Sequence, residues 1–98
     1  MKATDAATEA LLATRLALHP RVALRPEPFG ALAYHYDTRR LVFLKHPDVV
    51  AVVRALGSHP TVAATLDACG IDDQRRPTFV KALRSLVESS IVTAGDTP

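Results

Sequence analysis

Residues 25–45, Arg25-Pro26-Glu27-Pro28-Phe29-Gly30-Ala31-Leu32-Ala33-Tyr34-His35-Tyr36-Asp37-Thr38-Arg39-Arg40-Leu41-Val42-Phe43-Leu44-Lys45, decide the fold class. Leading into them, Arg21-Val22-Ala23-Leu24-Arg25 alternates polar and apolar residues, the period of a half-buried strand. Pro26 and Pro28 are expected to end this first strand, because proline has no N–H to give to a ladder. Phe29-Gly30 turns the chain into a second strand over 31–36, rich in aromatic residues. Asp37-Thr38-Arg39-Arg40 is a polar turn, and Leu41-Val42-Phe43-Leu44 makes a third strand closed by Lys45. Connections this short join spatial neighbours, so the three strands form an antiparallel meander in the order one, two, three.

C-terminal to the meander the period becomes helical. Pro47 suits a first helical turn, and Val49, Val50, Val53 and Leu56 recur at near-helical spacing up to Gly57. The β-branched run 49–53 leaves a strand open as the alternative. Thr61 caps a second helix, 62–69, ended by Gly70. Asp72 and Pro77 open a third, whose face is Phe79, Val80, Leu83, Leu86 and Val87. Ile91-Val92 can add a short strand. On the other side, residues 4–18 read as an Ala/Leu-rich helix capped by Thr4 or Asp5 and stopped at His19-Pro20. The expected fold is α+β and winged-helix-like: a three-stranded antiparallel sheet followed by a three-helix bundle, with an extra N-terminal helix. It divides the chain into a helical extension at 1–19, a domain at 20–92 and a tail at 93–98.

Composition removes whole classes of function. At 98 residues the chain holds one domain, and 48% hydrophobic with 22% charged residues is a globular balance, not a disordered one. A formal charge of +2 is weak for a nucleic-acid binder. The single cysteine, Cys69, excludes an internal disulfide framework, a cysteine zinc finger or an iron–sulfur cluster, and points to a reduced, cytoplasmic setting. Asp5 and Glu9 interrupt any signal-like stretch after Lys2, and apolar runs such as 49–53 are too short to span a bilayer.

Catalysis finds no support. Of the four histidines, His19, His46 and His59 each precede a proline and mark element boundaries, and no pair has the i,i+4 spacing of a helical metal site. His35 reads as a partly exposed ring beside Tyr34 and Tyr36. Asp72-Asp73 reads as a helix cap, the four glycines form no phosphate loop, and Cys69 sits as a packed thiol. No cofactor is expected.

Binding is the stronger lead. The third strand is an edge whose centre, 41–44, is apolar throughout, with Arg39, Arg40 and Lys45 only at its flanks. Left bare it invites pairing with another chain, so it must be covered by its own structure, buried in a homodimer or used as a docking strand. Beside the third helix it would form a groove in which an extended peptide adds as a strand. A proline at Val42 or Leu44, whichever amide points outward, is then expected to weaken binding.

The order of strands and helices resembles the PqqD-like family of peptide recognition elements used in ribosomal peptide modification. Residues 25–36 with 39–45 are similar to the chaperones of mycofactocin biosynthesis, and the resemblance spans about residues 19–92. It implies a non-catalytic chaperone that captures the leader of a precursor peptide by strand addition and presents it to a radical S-adenosylmethionine maturase, which would own the iron–sulfur cluster. Carried onto this chain, the leader site is Arg40, Leu41, Val42, Phe43, Leu44 and Lys45 with Phe79, Ala82, Leu83 and Leu86. The rival is a winged-helix nucleic-acid binder using Arg75, Arg76, Lys81 and Arg84, although Asp72, Asp73 and Glu88 share that region. A titration with duplex DNA at two salt concentrations separates the two.

Overall fold

The computed structural model describes residues 6–94. Thr4 and Asp5, the expected helix caps, and residues 95–98 of the tail lie outside them. The elements run α1 (Ala6–Leu12), β1 (Leu16–Leu18), β2 (Val22–Glu27), β3 (Gly30–His35), β4 (Leu41–Leu44), α2 (Pro47–Ala55), a 3-10 turn (Leu56–Ser58), α3 (Val62–Ala68), α4 (Arg76–Glu88) and β5 (Val92–Ala94). The α+β architecture with an antiparallel sheet in the order β2-β3-β4 is the one expected from the strand pattern.

One expected element is corrected. The N-terminal helix stops at Leu12, and Leu16–Leu18 forms a strand paired antiparallel with Val92–Ala94, Leu18 opposite Val92. Ala and Leu favour helix locally, but Leu16 and Val92 are both almost fully buried, and burial through a pairing at the far end of the chain outweighs a local preference. The 3-residue turn between α1 and β1 is fixed by Thr14, whose hydroxyl donates to the Ala10 carbonyl.

The main sheet explains its own prolines. The Tyr36 amide donates to the Arg21 carbonyl at 2.8 Å. Alternation along an antiparallel ladder then makes Ala23, Arg25 and Glu27 the residues of β2 that bond to β3, since they lie opposite Tyr34, Leu32 and Gly30. Pro26 is therefore at an outward position, where its missing N–H costs no ladder bond, and the strand continues through it instead of ending there. Gly30 is required where β3 meets β4: its φ is +146°, and a Cβ would lie 2.1 Å from the Leu44 carbonyl oxygen.

Side chains alternate across the sheet as the pleat demands. Ala31, Ala33 and His35 of β3 and Leu44 of β4 face inward and pack with Val52, Val53 and Leu56 of the α2 region, Leu66 of α3, and Phe79, Leu83 and Leu86 of α4. His35 is buried, not partly exposed as expected. It lies on the face opposite Tyr34 and Tyr36, its ring centroid 4.5 Å from that of His19, and its Nδ1 accepts from the amides of Asp37 and Thr38. Two helix starts carry side-chain caps, that of Thr61 as expected and that of His46 in addition. The His46 Nδ1 accepts from the Asp48 amide ahead of Pro47, and the Thr61 hydroxyl accepts from the Ala64 amide. At α4 the expected Asp72 cap is corrected: the N-cap is Arg75, which has no side-chain cap, and the Asp72 carboxylate accepts from the Arg75 amide in the turn before the helix.

Candidate functional site

The two edges of the sheet differ. On β2 the outward positions are Val22, Leu24 and Pro26. The Val22 amide already donates to the His19 carbonyl at 2.9 Å and Pro26 has none, so Leu24 carries that edge's one remaining outward donor. On β4, the His35 amide donates to the Arg40 carbonyl at 3.0 Å, which makes Ala33·Val42 and Ala31·Leu44 the hydrogen-bonded pairs. The amides of Val42 and Leu44 thus point into the sheet, contrary to the expectation that one of them faces out. The outward amides and carbonyls are those of Leu41 and Phe43, and among the described residues no strand pairs with them.

Beside this edge runs a shallow groove of about 260 Å³ between β4 and α4. It is lined by Val42, Phe43, Leu44 and Lys45 on the strand side, by His46 and Val49 leading into α2, and by Ala82, Ser85 and Leu86 of α4. Six of the ten residues expected from the sequence therefore meet here. The other four do not. Phe79 and Leu83 are 3% and 1% exposed and belong to the core, because they lie on the α4 face that points away from the groove mouth. Leu41 is 53% exposed on the opposite face of the sheet, and Arg40 is exposed in the turn before β4. Phe43 borders the groove, but its ring stands edge-on to Phe29 at 5.8 Å on that same opposite face. His46, Val49 and Ser85 were missed. Ser85 follows Ala82 by one turn, so helical spacing alone could have found it.

The starts of α2 and α4, the two helices that contribute to the groove, are tied together electrostatically. Asp48, in the first turn of α2, accepts a hydrogen bond of 2.6 Å from Arg75, whose guanidinium also lies 5.2 Å from the centroid of the Phe79 ring. That bond holds the Asp48 carboxyl below the usual carboxylate range, against the opposing effect of desolvation. At the other end of β4, Asp37 is lowered in the same way by its hydrogen bond to Arg21. Arg39, Arg40 and Lys45 make no ion pair among the described residues and leave positive charge along both ends of the open edge.

A larger cleft of about 420 Å³ opens between β1, β2 and α2, lined by Ala17, Leu18, Leu24, Val53, Arg54 and Gly57. It borders the blunted edge and offers little main-chain hydrogen bonding. Among the described residues no group of three or more His, Cys, Asp or Glu is placed to hold a metal ion. Burial pushes the Cys69 thiol up, away from the thiolate a nucleophile needs. No helix of the described residues is long and apolar enough to cross a membrane.

Residues 15–93 match the family model described as the peptide chaperone MftB family. The peptide chaperone MftB of Mycolicibacterium smegmatis is 47% identical over 79 residues, 81% of this chain and 78% of that protein. The protein of the same name from Mycobacterium ulcerans is 48% identical over 75 residues, covering 76% and 69%, and that from Mycobacterium tuberculosis 42% over 80 residues, covering 82% and 73%. No solved structure matches significantly. The family is one of chaperones and not of enzymes, in agreement with the non-catalytic expectation. On a family match over most of its length and these identities, the chain belongs to the peptide chaperone MftB family.

Proposed function

We propose that the chain captures the leader of a ribosomally made precursor peptide of the mycofactocin type by adding it as a strand along β4, and passes it to a radical S-adenosylmethionine maturase in the cytoplasm. The observation that supports this most is the unpaired edge of Leu41 and Phe43 running beside the groove of Val42, Ala82, Ser85 and Leu86. Main-chain bonds to those two residues fix register, and alternate side chains of the guest enter the groove.

The magnitudes are sufficient. Four main-chain bonds contribute ~0.5–1.5 kcal/mol each, and two buried apolar side chains about 1.5–3 kcal/mol each. Against an association cost of ~4 kcal/mol or more, the net is about −8 kcal/mol at best, a micromolar complex. That strength suits a carrier that must release its cargo. Arg40 and Lys45 favour an acidic leader and speed its arrival.

The test uses a fluorescent synthetic leader of a mycofactocin-type precursor peptide. Proline is tolerated at an outward edge position, as Pro26 shows on β2, so Leu41→Pro keeps the sheet while deleting one outward donor. Leu41→Pro is expected to bind at least tenfold more weakly than Leu41→Ala at equal thermal midpoints. Equal affinity of the two variants refutes strand addition.

A further inference from the structure

The sheet has a second face that the peptide groove does not use. The register places Arg25, Leu32 and Phe43 in one row across its outer side, and Ala23, Tyr34 and Leu41 in the next. Phe29 packs edge-on against Phe43, and Tyr36 edge-on against Tyr34 at 5.3 Å. Phe29, Tyr36, Leu41 and Phe43 are 42%, 54%, 53% and 59% exposed, and of the large exposed hydrophobics among the described residues only Val87 lies elsewhere. Together they offer about 300–500 Å² of apolar surface, given that each aromatic side chain carries roughly 150–250 Å². A patch of this size matches the largest on a typical monomer, which is often functional.

Its rim decides the occupant. Glu27 is engaged by Arg25 at 3.2 Å and Asp37 by Arg21 at 3.0 Å, whereas Arg39, Arg40 and Lys45 have no ion-pair partner among the described residues. The uncompensated charge around the patch is positive. A second copy docked face to face would bring those cations against their own kind, and the patch falls short of the roughly 800 Å² per partner of a stable interface. A transient partner with an apolar patch fringed by carboxylates fits both constraints.

We infer that the outer face of β2-β3-β4 docks a second protein, the enzyme to which the peptide is handed, while the peptide lies along the edge and inner groove of the same strand. The partner's identity rests on the delivery role proposed above; the location of the surface does not. Because β4 carries both contacts, the guest peptide and the docked enzyme are brought to within one strand's width of each other, and neither has to leave for the other to bind.

The test measures binding of a radical S-adenosylmethionine maturase of the mycofactocin type to Phe29→Glu and Tyr36→Glu, both outside β4 and the groove. Each variant is expected to lose at least tenfold in maturase affinity at low salt, keep its leader affinity within twofold and keep its thermal midpoint. A photo-crosslinking residue at Tyr36 is expected to capture the maturase, and one at Ser85 the leader peptide, which keeps the test decisive if a glutamate variant fails to fold. Unchanged maturase affinity with no crosslink from Tyr36 overturns the inference. So does wild-type dimerisation, or wild-type binding to anionic phosphatidylserine vesicles, that these variants abolish, since the face would then belong to a second copy or a lipid surface. A wild-type chain that binds the maturase through Tyr36 but not the leader would overturn the capture reading and leave this surface standing.

Discussion

The Asp48 carboxylate and the Arg75 guanidinium meet at 2.6 Å and join the start of α2 to the turn that launches α4. Neither residue lines the groove, but the pair ties together the starts of the two helices that contribute to it. Because Asp48 is held below its ordinary value of 3.8 in the folded state, its contribution to stability is present above that value and is lost as pH falls through the depressed one. Asp37, lowered by Arg21, acts in the same sense.

Thermal unfolding followed between about pH 7 and pH 2 should therefore show the wild type losing stability on the acid side. Asp48→Asn should be less stable at neutral pH and show a smaller acid loss. An identical pH profile in the variant would mean that the ion pair contributes nothing to folding.

Core and groove positions on α4 should separate cleanly. Leu83→Ala removes a side chain that is 1% exposed and should cost roughly 2–5 kcal/mol in urea unfolding, with leader affinity of the folded protein unchanged. Ser85→Trp fills the groove from an exposed position and should leave stability within about 0.5 kcal/mol while weakening leader binding severalfold. Swapped effects would place the peptide elsewhere.

Charge reversal at Arg40 and Lys45 should act on arrival more than on residence. In stopped-flow mixing with an acidic leader at low salt, the double reversal should slow association about tenfold and change dissociation little. The difference should shrink as salt rises to ~0.15 M, where the screening length is about 8 Å. An unaltered association rate would remove steering from the account.

Local pattern carried much of the fold. The alternation of residues 21–25, the polar turn with Arg39 at φ 64° and the Thr61 cap are all visible as residue types at fixed spacing. What was not legible depended on distant partners. Leu16–Leu18 reads as helix until Val92–Ala94 is brought beside it. His35 reads as exposed until the inward face of β3 is known. The third strand and third helix were found as the two walls, yet an apolar run such as 41–44 does not say which residues face the core, and Phe79 and Leu83 could not be told from groove residues by helical spacing. The amide directions on β4 follow only from the hydrogen bond of His35 to Arg40, which no residue type announces.

The most direct test of peptide capture is residue-resolved amide hydrogen exchange of the chain with and without the leader. The Leu41 and Phe43 amides should exchange readily in the free protein and become protected on saturation, while those of Val42 and Leu44, already bonded to β3, change little. Saturation with leader that leaves Leu41 and Phe43 exchanging as before would contradict strand addition at β4.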